Sequence, residues 1–130
     1  MALKRKRTKG RKESEQFIAI PMQILSSDQY ANLGAWGVKL LIDLSAQYNG
    51  KNNGDLCAAF SMMQKRGWRS KGTLSKALTE LTDAGFILKT RQGGKHKANL
   101  YAVTFRGIDE CGGKLDIKPM PVPLNTWKKN

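Results

Sequence analysis

Residues 55–105 read DLCAAFSMMQKRGWRSKGTLSKALTELTDAGFILKTRQGGKHKANLYAVTF, and this stretch decides the fold. Its first part predicts a helix over 57–66, with Ala59, Phe60 and Met63 supplying an apolar side. Gly67 ends that helix in the left-handed conformation, which a residue without Cβ adopts at no steric cost. Trp68 is expected to plug into the core at the turn. Ser70 carries the hydroxyl an N-cap needs and predicts a second helix over 71–84. In that helix Leu74, Ala77, Leu78 and Leu81 recur at helical spacing and point inward. Gly72, Lys76 and Thr79 then point outward, flanked by Thr73, Ser75 and Glu80, and Gly85 closes the helix. Residues 86–91 and 100–105 read as antiparallel strands. The loop 92–99 between them holds Gly93-Gly94 for the turn and Lys95, His96 and Lys97 for charge.

Upstream, a helix over 35–48 has a core face of Leu40, Leu41, Leu44 and Tyr48, with Leu33 just before it. Trp36 is expected in the core or as a staple at its start. Ser26 or Ser27 caps a short helix through about residue 32, Gly34 interrupts, and 17–21 reads as an extended segment ended by proline. The turn-rich run 49–54 stops the longer helix. Residues 1–16 are polar, basic and aperiodic, a composition expected to be disordered in isolation. Lys4, Arg5, Lys6 and Arg7, with Lys9, Arg11 and Lys12, read as an arm for phosphates. Downstream, 108–130 is irregular, with Pro119, Pro121 and Pro123 favouring an extended course; the sequence does not decide whether Trp127 docks or is solvated. The division expected is a basic arm over 1–16, one domain over 17–107 and an irregular segment over 108–130.

The charge is segregated. The chain of 130 residues has a formal charge of +13. Residues 1–12 carry +7, residues 13–64 carry −3, residues 65–97 carry +7 and residues 98–130 carry +2. Two basic zones on a slightly acidic scaffold point to a polyanion: DNA, RNA or an anionic membrane. Cys57 and Cys111 belong to no CxxC or Cys/His cluster, so no metal site is read; Cys57, among apolar residues, is expected to be a buried thiol in a reducing cytoplasm. No apolar run approaches the ~18 residues of a membrane span, and the basic N-terminus lacks the apolar core of a signal peptide.

Two helices joined by a tight basic turn and followed by a charged hairpin form the layout of a winged helix-turn-helix. The fold class expected is α+β, with three to four helices and a C-terminal β-hairpin wing. A helix fits the major groove of B-DNA, where each base pair shows its own donor and acceptor pattern. Arg69, Lys71 and the backbone at Ser70 sit at a helix N-terminus, where the dipole and free N–H groups favour phosphate. Thr73, Ser75, Lys76 and Thr79 are placed for base edges, and Arg91, Lys95, His96 and Lys97 for the flanking backbone or a minor groove. Double-stranded DNA is therefore the partner expected, with no cofactor. Many such proteins read two half-sites as dimers. A homodimer is compatible with the sequence, through the first helices or the segment 106–130, although no exposed heptad seam is present.

Asn53-Gly54-Asp55-Leu56, Arg66-Gly67-Trp68-Arg69-Ser70, LTELTDAGFI over 78–87 and Thr90-Arg91-Gln92-Gly93-Gly94 resemble a family of small bacterial and prophage winged helix-turn-helix proteins. The resemblance continues through Ile108-Asp109-Glu110-Cys111-Gly112-Gly113 and covers about residues 17–127. More distantly the chain is similar to the DNA-binding parts of phage and plasmid replication initiators and to MarR-like repressors. The resemblance implies the fold and DNA binding, in transcriptional regulation or in phage or plasmid replication or maintenance. It carries over no ligand pocket.

Two other readings compete. The charge also suits RNA or a ribonucleoprotein, although the major groove of A-form RNA is too narrow for a helix. Some winged domains bind proteins instead. Enzyme chemistry is not expected. His96, the single histidine, sits at a hairpin tip, a poor place for a protected general base, and Gly93-Gly94-Lys95 lies between strands rather than in a strand-to-helix phosphate loop.

Overall fold

The computed structural model describes residues 15–128, so Lys4, Arg5, Lys6 and Arg7 lie outside the described residues. Two one-turn helices open the fold, α1 (Met22–Leu25) and α2 (Asp28–Ala31). Ser27 caps α2 through Tyr30 N–H, as its hydroxyl allows. They lead into α3 (Ala35–Ser45). Strand β1 (Leu56–Cys57), helix α4 (Phe60–Met63) with a 3-10 turn over Gln64–Arg66, and helix α5 (Lys71–Asp83) follow. Strands β2 (Ile87–Arg91) and β3 (Leu100–Val103) complete an antiparallel sheet of order β1-β3-β2. Over the described residues the protein is α+β, with five α-helices and a three-stranded antiparallel sheet.

The core lies between α3, α5 and the sheet. Leu40, Leu41 and Leu44 of α3 meet Leu74, Ala77 and Leu81 of α5, with Ile87, Tyr101 and Val103 from the strands, Ile24 from α1, Met63 from α4, and Trp68 and Phe86 from the connections. Both long helices bury the faces their apolar spacing dictates, and non-directional burial of that surface supplies most of the stabilisation.

The first correction concerns residues 55–66. A helix was expected from 57, but Leu56 pairs with Tyr101 and Cys57 with Leu100 as strand β1, and α4 begins only at Phe60. The outer edge of this short strand is closed by a side chain. The Gln47 amide donates to the Cys57 carbonyl at 2.7 Å and accepts the Cys57 N–H at 2.9 Å, imitating a strand neighbour. These long-range bonds override the local apolar pattern. They also account for α3 stopping at Ser45 rather than at 48, since Gln47 must leave the helix to make them. Cys57 is half-buried rather than buried. Trp36, expected in the core or as a staple, is 49% exposed. The strands are shorter than 86–91 and 100–105, with a bulge between Lys89 and Arg91.

Residues 108–128 pack back on the sheet and the α5–β2 turn. Buried Asn53 is the hub. Its side-chain NH2 donates to the carbonyls of Val103, Arg106 and Gly107, its Oδ1 accepts the Val103 N–H, and its main chain bonds Asp109 in both directions. The Trp127 indole is buried and stacks on Phe86, with ring centroids 6.1 Å apart. Gly85 makes this docking feasible: its φ is +83°, and a Cβ there would drive into the Thr126 carbonyl.

Candidate nucleic-acid interface

The turn into α5 is built around one buried carboxylate. Gly67 has φ +94°, which lets the chain reverse direction within one residue and sends Trp68 inward, where it is 1% exposed. The Trp68 indole N–H donates to Asp43 Oδ2 at 2.8 Å. The same carboxylate receives Lys39 Nζ at 3.1 Å and faces Arg66 Nε at 3.3 Å. Lys39 also donates to the Arg66 carbonyl at 2.8 Å. Asp43 therefore fixes the turn to α3, holding Arg66 before Gly67 and Trp68 after it.

From that anchor the chain enters α5. Ser70 Oγ accepts the Thr73 N–H at 3.1 Å. The cap uses that donor, so the backbone N–H groups of Lys71 and Gly72 are the ones left facing solvent beside the exposed Arg69 and Lys71 side chains. Along the helix, Lys71, Gly72, Ser75, Lys76 and Thr79 form one exposed face. Thr73 is half-buried rather than presented on that face. Glu80, an acid that would oppose a polyanion here, bends away to accept the Gly34 N–H at 2.8 Å. Asp83 is exposed at the far end.

The hairpin brings a second set together. Gly94 and Lys97 exchange both backbone hydrogen bonds at 3.1 Å, so Lys95 and His96 are the tip. The tight turn is thus Gly94–Lys97, centred on Lys95-His96 rather than on Gly93-Gly94. His96 takes φ +67° to make it. Lys95, His96 and Lys97 are all exposed. Arg91 is not presented with them. It is half-buried, and its Nη2 donates to the Ala98 carbonyl at 2.9 Å, which bridges the hairpin's own strands.

Within the basic zone 65–97, the exposed cations not among the expected contacts are Lys65 and Arg66, on the turn before Gly67, and Lys89 on β2. Lys65 and Arg66 lay inside the basic zone of the sequence, so charge clustering was a signal for them. Lys89 lies in the same basic zone, but it shares a face of β2 with buried Ile87, so strand alternation gives no signal for its exposure.

Cations thus occupy the turn, the exposed face of α5 and the hairpin tip, while Asp43 and Glu80 are turned into internal bonds and exposed Asp83 sits at the far end of α5. That arrangement suits a polyanion whose charges are spaced along a path. Among the described residues no three His, Cys, Asp or Glu side chains gather as a metal site, and no helix is long and apolar enough to cross a membrane. Comparison with protein-family models, with curated proteins and with solved structures gives no match to this chain.

Proposed function

We propose that this chain is a winged helix-turn-helix protein that binds double-stranded DNA sequence-specifically, as a transcriptional regulator or a phage- or plasmid-type replication or maintenance factor. The order α3, β1, α4, α5, β2, β3 and the sheet order β1-β3-β2 support that architecture. The observation that carries the binding reading is the exposed face of α5, where Ser75, Lys76 and Thr79 stand free while the acid on its flank is withdrawn. In this reading α5 enters the major groove, where these side chains meet base edges. Arg69, Lys71 and the N–H groups of Lys71 and Gly72 hold a phosphate. Lys95, His96 and Lys97 hold the backbone beyond the groove, and Arg91 supports the wing rather than touching DNA.

Selection of bound sequences from a random duplex library at near-physiological salt tests this, followed by titration of the winner against scrambled DNA. An enriched motif bound at least about 10³-fold more tightly than scrambled duplex supports it. Binding without enrichment overturns the base-reading role of α5. Absence of salt-dependent duplex binding overturns the whole reading and moves the weight to RNA or a protein partner.

A further inference from the structure

The exposed tryptophan on α3 has no role in the core, and its position gives it one at the edge of the interface. The first turn of α3 sits on Glu80 of α5. Gly34 N–H bonds that carboxylate, and a side chain at Gly37 would collide with it. Trp36 is carried by this same turn, yet its ring lies 5.0 Å from the ring of Trp68, tilted by 47°. Trp68 is the residue before Arg69 and the Ser70 cap. Thr73, Lys76 and Glu80 follow one another at i, i+3 and i+7 along one flank of α5. Trp36 itself shares a face of α3 with Lys39 and Asp43, at i, i+3 and i+7, so its ring lies over the turn that Asp43 anchors, ahead of the start of α5.

Of the three tryptophans, Trp68 is 1% exposed and Trp127 4%, whereas Trp36 is 49% exposed. The indole N–H groups of Trp68 and Trp127 are bonded by Asp43 and Asn125; among the described residues Trp36 has no such partner. The ring beneath it is fixed by Asp43, so little freedom is lost when a ligand covers Trp36. Arg66 and Arg69 are exposed on the adjoining turn and would draw a phosphate to this point. A flat amphipathic ring with one donor suits a deoxyribose–phosphate unit.

We propose that Trp36 is a DNA-backbone contact beside the turn that leads into α5. Its N–H donates to a phosphate at the rim of the major groove, and its exposed ring face packs on the neighbouring sugar. The proposal rests on the reading that α5 occupies that groove.

Anisotropy of a labelled duplex reports binding without reference to tryptophan, and acrylamide quenching of tryptophan emission reports cover on Trp36. Saturating duplex is expected to abolish most of the quenching in the wild-type protein. Trp36→Phe keeps a ring on Trp68 and loses the donor; checked for an unchanged melt, it should bind specific and random duplexes about three- to tenfold more weakly, to the same degree. Binding by anisotropy with quenching unchanged from the free protein overturns the proposal and leaves the DNA reading standing. So does a folded Trp36→Phe protein that binds as the wild type does. No binding by anisotropy overturns both.

Discussion

Removing the Asp43 carboxylate is the sharpest test of how the helix-turn-helix is held. Three donors converge on it, but they do not contribute equally. The Lys39 and Arg66 side chains are 36% and 47% exposed, so solvent screens those ion pairs to about 0–1 kcal/mol each. The Trp68 indole N–H is buried and bonds a charged acceptor at 2.8 Å, a class of bond that contributes about 1.5–3 kcal/mol. In Asp43→Ala the indole N–H keeps its burial and loses its acceptor. Adding the weak ion pairs, the variant should lose about 2–4 kcal/mol, enough to lower Tm by roughly 10 °C. A double-mutant cycle with Trp68→Phe isolates the bond. Each single variant and the double variant are unfolded in urea and followed by circular dichroism, because emission changes with the tryptophan. A coupling of about 1.5–3 kcal/mol is expected. Additive losses, with coupling below about 0.5 kcal/mol, would refute the claim that Asp43 pins Trp68 and with it the turn.

The remaining predictions concern other parts of the chain. Lys76→Ala and Thr79→Ala should change which sequences are preferred by about 1–3 kcal/mol, while Lys95→Ala weakens all sequences alike and reduces the salt slope by about 1, as titrations of specific and random duplex at several salt concentrations will show. Asn53→Ala strips the side-chain partners from Val103, Arg106 and Gly107 and should cost about 3 kcal/mol or more in urea unfolding, with residues 108–128 becoming protease-sensitive. His96→Gly relieves a φ of +67° and should raise stability by about 0.5–1 kcal/mol without altering the fold. The Cys111 thiol is held above its ordinary range, first by burial and next by the Asp55 carboxylate, against the lowering influence of Lys114. The folded state thus binds that proton more tightly than the unfolded state, so its contribution is full below the unfolded pKa and is lost as pH rises through the folded one. Alkylation of Cys111 should show a midpoint at higher pH in native than in denatured protein, and higher again in Lys114→Ala.

Local chemistry carried much of the architecture. Ser27 and Ser70 are caps because each has a hydroxyl able to reach an N–H three residues on; Ser70 is read from the sequence alone, which narrows the other to Ser26 or Ser27. Gly67 and Gly85 stop helices because they tolerate positive φ. The apolar spacing of α3 and α5 already says which faces meet. The basic zone over 65–97 is equally a property of the sequence, since charge does not depend on partners.

The tertiary structure decided whatever depends on a distant neighbour. Leu56 and Cys57 look like the start of a helix until Gln47 and β3 supply their hydrogen bonds. Trp36 and Trp68 look alike as apolar residues near a helix; the carboxylate of Asp43 buries one, and the other is left on the surface above it. Arg91 carries the same charge as Lys95, but the Ala98 carbonyl lies within its reach and turns it into a strut. Trp127 is solvated or docked depending on whether Phe86 is there to receive it, and the fold places it there. Helical and strand periods and backbone dihedral preferences are written over a few residues, so a sequence states them. Hydrogen-bond satisfaction and burial pair residues 10 to 87 positions apart, and only the closed fold brings those pairs within bonding distance.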